Sequence, residues 1–231
     1  MRVLFIVLLG TLMAVCGAVG SGAATWEIPG LLKSKATEII IDYAQGKVTW
    51  RGGAPEVTLT DQKTKQSATF QAPEIVVIGA KGQNAQSLFS SVDRILLKGG
   101  PSRIVSVDRG LLLEALDITV IVPKTKGAGS LESASAKGSV HMRVTQKTGA
   151  AATDTRTLDV KSDSLEISEM GDKAVFIGNV VVSEQDPAYT SAATADKATV
   201  TGLQPKDNQP AQPLIVLESK SDQNNSVPAP K

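Results

Sequence analysis

Cysteine, histidine and aromatic side chains are nearly missing from this chain. One cysteine, Cys16, and one histidine, His141, stand in 231 residues, which excludes a disulfide framework, a thiolate metal site and a relay built on paired histidines. If the amino-terminal stretch is removed on export, Cys16 goes with it and stability rests on the core alone. Charge of neither sign dominates, with 24 Lys and Arg against 23 Asp and Glu, a balance that argues against nucleic acid as a partner. Aromatic residues make up 3%, so the apolar positions are mostly Val, Ile, Leu and Ala. An interior of that kind suits acyl chains as well as it suits itself.

Catalytic groups are equally scarce. His141 lies in the alternating run Val140, His141, Met142, Arg143, Val144 and shares the polar face with Arg143, the placement of a solvated strand residue. Glu166 with Glu169, and Asp117 near Glu114, read as solvated faces or turn residues rather than an acid and base pair. The Gly99-Gly100-Pro101 turn lacks the lysine and helix of a phosphate-binding loop. No enzyme is expected, and no cofactor or metal.

The first 24 residues have the order of a secretory signal peptide: Met1 and Arg2, an apolar stretch over 3–19, then small residues over 20–24. Two other readings stay open for this stretch. An uncleaved signal would act as a membrane anchor, and Cys16 would be a lipid-attachment site, although Met13, Ala14 and Val15 match that pattern poorly.

What the sequence does contain is a motif written twice. One copy runs Ile39, Ile41, a turn, Lys47, Val48, Thr49, Trp50, Arg51, Gly52; the other runs Leu165, Ile167, a turn, Lys173, Ala174, Val175, Phe176, Ile177, Gly178. An alternating strand follows each glycine (Val57 and Leu59 against Val180 and Val182), then a polar hairpin, then Ile75 and Val77 in the first copy and Ala198 and Val200 in the second. A weaker third occurrence overlaps them, Gly138-Ser139-Val140 echoing Gly178-Asn179-Val180. Overlapping units, each closing strand opening the next, predict a continuous antiparallel meander in one domain over 25–203. Period-two patterning dominates throughout, with helical periodicity nearly absent.

Further strands are expected over 92–97, 104–107, 111–116 and 118–122, with loose connections over 124–133 and 148–154. Beyond Gly202 the chain turns to Gln, Pro, Asn, Ser and Lys, and residues 204–231 read as a disordered tail. Leu214-Ile215-Val216-Leu217 interrupts it, as a last strand, a stray apolar patch or a segment that pairs with a sheet edge.

Residues 162–200, Ser-Asp-x-Leu-x-Ile, turn, Lys-Ala-Val-Phe-x-Gly-Asn-Val-Val-Val, hairpin, Thr-Ala-Asp-Lys-Ala-x-Val, resemble the OstA-like repeat. That repeat is shared by the LptA–LptC family of lipopolysaccharide transport proteins and by the amino-terminal domain of LptD. The first copy departs from it, with Trp50-Arg51-Gly52-Gly53-Ala54-Pro55 where Phe-x-Gly-Asn-Val is usual. The resemblance implies an all-β, elongated antiparallel jellyroll with an open groove, placed in the periplasm. It also implies lipopolysaccharide or a similar glycolipid as cargo, and other OstA-like jellyrolls, or a second copy, as partners by edge-strand pairing. That pairing is expected near Ile39 and near Val200. The face shared by the copies gives the candidate lipid-binding residues: Ile39, Ile41, Val48, Trp50, Val57 and Leu59, with Ile75 and Val77, then Leu165, Ile167, Phe176, Val180 and Val182. The same alternation would arise if these side chains packed only against one another.

Overall fold

The computed structural model describes residues 23–61, 64–82, 84–122, 132–147, 155–203 and 213–219. The signal-peptide expectation therefore falls outside the described residues except at Ala23 and Ala24. So do the connection over 124–131 and the tip over 148–154.

Alternating apolar residues make the chain pleat one face inward, and it does so by passing back and forth between two facing leaves of sheet. Strand β1 (Ala24–Ile28) pairs with β2 (Leu32–Ala36) in the first leaf. The chain bends at Thr37 into the second leaf as β3 (Glu38–Asp42) and β4 (Lys47–Arg51). It returns through residues 52–55 to β5 (Glu56–Thr60) and β6 (Ser67–Gln71), then crosses again at Ala72 and Pro73 into β7 (Glu74–Gly79). A short helix α1 (Ala85–Ser90) precedes β8 (Val92–Lys98). Gly99-Gly100-Pro101 leads to β9 (Ser102–Ser106) and, after a 3₁₀ turn, β10 (Leu111–Ala115) in the first leaf; Leu116 leads to β11 (Asp117–Ile121) in the second.

From there the strands are long enough to run through both leaves. They are β12 (Ser133–Lys147), β13 (Thr155–Ser168), β14 (Lys173–Gln185) and β15 (Thr190–Thr201), and β16 (Leu214–Glu218) closes the second leaf. The whole is one 16-stranded antiparallel sheet among the described residues, folded back on itself along a crease and nearly closed, a jellyroll-like all-β architecture.

Crossings of the crease alternate in kind. Every passage from the second leaf to the first carries a glycine with positive φ, namely Gly52, Gly99, Gly138 and Gly178. The opposite passages, at Thr37, Ala72-Pro73, Leu116, Ser162-Asp163 and Asp196, carry none. In β12 and β14 the glycine and its successor, Ser139 or Asn179, both adopt positive φ and form a bulge where the register shifts. The repeated glycine of the sequence motif is thus the fold of the crease. A side chain at Gly138 would collide with Leu116, whose backbone N–H donates to both Lys137 and Gly138 carbonyls at 3.1 and 3.0 Å.

Buried side chains of both leaves form one cluster. Ala36, Ala72, Ser102 and Ala115 are buried near the crease, where converging leaves leave space only for small groups.

Two sequence expectations need amendment. Helix α1 lies where only general alternation was read. Asn84 caps it by accepting the Ser87 N–H at 2.8 Å, and Leu88 and Phe89 are buried. Within the tail over 204–231, Leu214–Glu218 is strand β16, the last strand that was one of the readings of that run. Val200 consequently pairs with Ile215, and the edge expected near Val200 is covered by the chain's own last strand. Among the described residues the edge of the second leaf there is β16, and the opposite edge of that leaf is β3, which carries Ile39.

Candidate functional site

Cross-strand register aligns the predicted lining residues into rows. In the second leaf, Ile39, Trp50 and Ile75 continue through Leu97, Ile118 and Ala136 to Leu165, Phe176 and Ala198. A parallel row, farther from the crease, holds Ile41, Val48 and Val77, then Ile95, Val120 and Ala134, then Ile167. In the first leaf Val57 pairs with Phe70 and Leu59 with Ala68, while Val182 pairs with Val160, and Val180 sits just beyond the Gly178 bulge.

Most of these rows are filled. Val48, Trp50, Val57, Ile75, Val77 and Phe176 have no exposed surface, and Leu165, Val180 and Val182 are buried almost as fully. Ile39 is half-buried, and Ile41, on the unpaired edge, is 39% exposed. Two members, Leu59 and Ile167, border open space.

That space is a pocket of about 90 Å³, partly open to the outside, at the mouth opposite the crease. Its first-leaf wall includes Phe70, Ile104 and Leu113; its second-leaf wall includes Ile95, Val120 and Val122. The opening exists because three inward positions nearest the mouth carry small side chains, Ala68 and Ser106 on one leaf and Ala134 on the other. A larger residue at any of them would reach into the gap. The lip is asymmetric: Gln66, Ser67, Ser106 and Arg109 line it from the first leaf, Val122, Ala134 and Ile167 from the second. Arg109 donates to Gln66 Oε1 from Nε at 3.4 Å and from a terminal nitrogen at 3.2 Å.

Among the described residues, both ends of the mouth are narrow. At one, α1 drives Phe89 against Trp26 (centroids 5.5 Å apart, edge-on) and near Trp50 at 6.3 Å, with the two indoles 6.2 Å apart. Among the described residues the indole N–H of Trp50 has no acceptor. At the other end Val144, Leu158, Leu203 and Pro213 line a void of only about 10 Å³. Arg156 and Glu184 form a close ion pair on that rim, and Tyr189 Oη donates to Glu184 at 2.7 Å. Burial alone would raise the Glu184 pKa, but the hydrogen bonds from Arg156 and Tyr189 hold it below its ordinary value. The same Arg156 contact raises the guanidinium pKa.

His141 belongs to the outer face, as its alternation predicts, yet it is not simply solvated. Nδ1 lies 3.2 Å from Glu114 and Nε2 2.8 Å from Asp159. These contacts sit in a cross-strand ladder with Arg103 on Glu114 at 3.3 Å and Arg143 on Asp159 at 2.8 Å. Among the described residues, no group of three or more His, Cys, Asp or Glu side chains could hold a metal ion.

Of the residues lining this pocket the sequence reading included only Leu59 and Ile167; it missed the rest of both walls, Phe70, Ile104 and Val120 among them, the lip residues Arg109 and Gln66, and the small trio Ala68, Ser106 and Ala134. The available signal was a small residue at an inward position of an alternating strand. Compared with protein-family models and with curated proteins, the chain gave no match.

Proposed function

We propose that this protein binds the acyl part of lipopolysaccharide or a related glycolipid and carries or bridges it across the periplasm towards the outer membrane, without altering it chemically. The observation that supports this reading most is the aliphatic pocket between the leaves, open on the side where a head group would stay in water. The OstA-like pattern over residues 162–200 points the same way. The energetic case is direct: each buried methylene is worth about 0.8 kcal/mol, so a twelve-carbon chain held out of water is favoured by roughly 9 kcal/mol. A carrier that shields the chain removes that barrier to crossing an aqueous compartment.

The test is lipid extraction from protein purified out of a host with an outer membrane, together with uptake of a labelled lipid A analogue. Bound lipid, or saturable uptake, is the expected result. Protein that is empty and takes up nothing would sink the proposal.

A second reading draws on the filled rows and the unpaired edges. An exported adaptor with a closed core would dock other OstA-like jellyrolls, or a second copy, by adding a strand at β3 or β16. Under that reading crosslinking through these edges persists in protein free of lipid.

A further inference from the structure

We infer that helix α1 is a displaceable plug: Leu88 and Phe89 fill the end of the cleft nearest β1 and β3, and they give way to the hydrocarbon of a guest. This rests on the lipid-binding reading above and adds a gate to the same cleft.

The topology does not require the helix. Strands β7 and β8 are antiparallel neighbours, a pair that a turn of a few residues can join. The same leaf makes do with residues 43–46 between β3 and β4, and with 169–172 between β13 and β14. Between β7 and β8 the chain instead takes the longer excursion 80–91. Its stem is tied down: the Ala80 N–H donates to the Ser91 carbonyl at 3.1 Å and the Gly79 N–H to the Gly46 carbonyl at 2.8 Å. Helix α1 can therefore lift without unpairing the two strands. What the excursion delivers is two adjacent buried side chains, Leu88 and Phe89.

Phe89 stands between the leaves. Its ring meets Trp26 of β1 in the first leaf and Trp50 of β4 in the second. The space it takes continues towards the mouth pocket, since Val48, on the same face of β4 as Trp50, begins a row through Val77 to Ile95 in the pocket wall. The seated plug also leaves a group unsatisfied. Among the described residues the buried Trp50 indole N–H has no acceptor, and an unpaired buried donor favours any state that gives it a partner. Lifting Phe89 admits water, or a polar atom of the guest, to that group. A helix of six residues keeps its shape through packing rather than through its own hydrogen bonds. Withdrawing its two apolar side chains therefore loosens the helix itself.

Hydrogen exchange of the full chain, followed by mass spectrometry with and without a saturating lipid A analogue, tests the inference. The segment 84–91 should exchange about tenfold faster or more when the analogue is bound, while β7 and β8 keep their protection. Emission from Trp26 and Trp50, the two tryptophans of the chain, should shift in step with binding, because both lose Phe89. Phe89→Ala should remove the work of displacement and tighten binding of the analogue by about threefold or more. Exchange over 84–91 that is unchanged or slower in the complex overturns the plug and leaves the lipid-binding reading standing. A folded Phe89→Ala variant that binds no more tightly than the parent does the same. If that variant does not fold, exchange in the parent protein decides. Binding by the variant and not by the parent supports a plug that is shut at rest. If neither binds, the lipid-binding reading falls and the plug with it.

Discussion

Asp159, like Glu184, is a side chain through which acid should loosen this fold. It lies on β13 with its side chain 18% exposed, contacting His141 and Arg143 on β12 and paired on its other flank with uncharged Ser183. Burial raises its pKa, but the hydrogen bonds from His141 and Arg143 outweigh that and hold it below the ordinary 3.8. A carboxyl group depressed in the folded state stabilises the fold fully above its unfolded value, and the contribution disappears as pH falls through the folded one. Asp159→Asn should therefore cost about 1–3 kcal/mol at pH 7. Its urea midpoint should converge on that of the parent protein below about pH 3.8, the ordinary value of this group. A gap that stays constant down to pH 2.5 would refute the assignment. The polar face of His141 was legible from alternation, whereas its two carboxylate neighbours were not, because Glu114 and Asp159 come from strands whose register no local pattern fixes.

At the scale of elements, period-two alternation located β8, β10 and β11 within a residue or two, whereas the repeated glycine was visible as a motif without its being legible as the crease. Helix α1 escaped because its six residues are too few to establish a helical period. Strand β16 was readable as an apolar run, but its partner was not. Its role can now be tested. Ala198 and Val200 on β15 are fully buried, paired with Leu217 and Ile215. Ending the chain after residue 203 would bare the β15 edge, a template for strand addition. Light scattering after size exclusion should show the shortened protein self-associating with concentration more strongly than the full chain. Equal behaviour of the two would mean that β16 does not guard this edge.

For the whole molecule, the question alternation could not answer was whether the inward stripe is filled or open. Alternation says which way a side chain points, while the room between leaves depends on the sizes of residues that face each other from strands far apart in sequence. Ala68, Ser106 and Ala134 open the mouth; Trp50, Phe89 and Leu88 close one end. Since buried residues of both leaves belong to one cluster, calorimetry should record a single unfolding transition with matching calorimetric and van't Hoff enthalpies. Two resolved transitions would show that the early repeats and the long strands β12 to β15 unfold independently.

The alternation of glycine and non-glycine crossings restricts how such a molecule can grow. A strand heading out of the second leaf needs the left-handed backbone that Gly52, Gly99, Gly138 and Gly178 supply, and a strand heading into it does not. Extra length can therefore be added only as complete round trips, each bringing one new glycine. Half a trip would leave the next strand meeting the crease in the sense for which its sequence is not prepared. The number of these glycines is a tally of round trips, written into the chain before it folds.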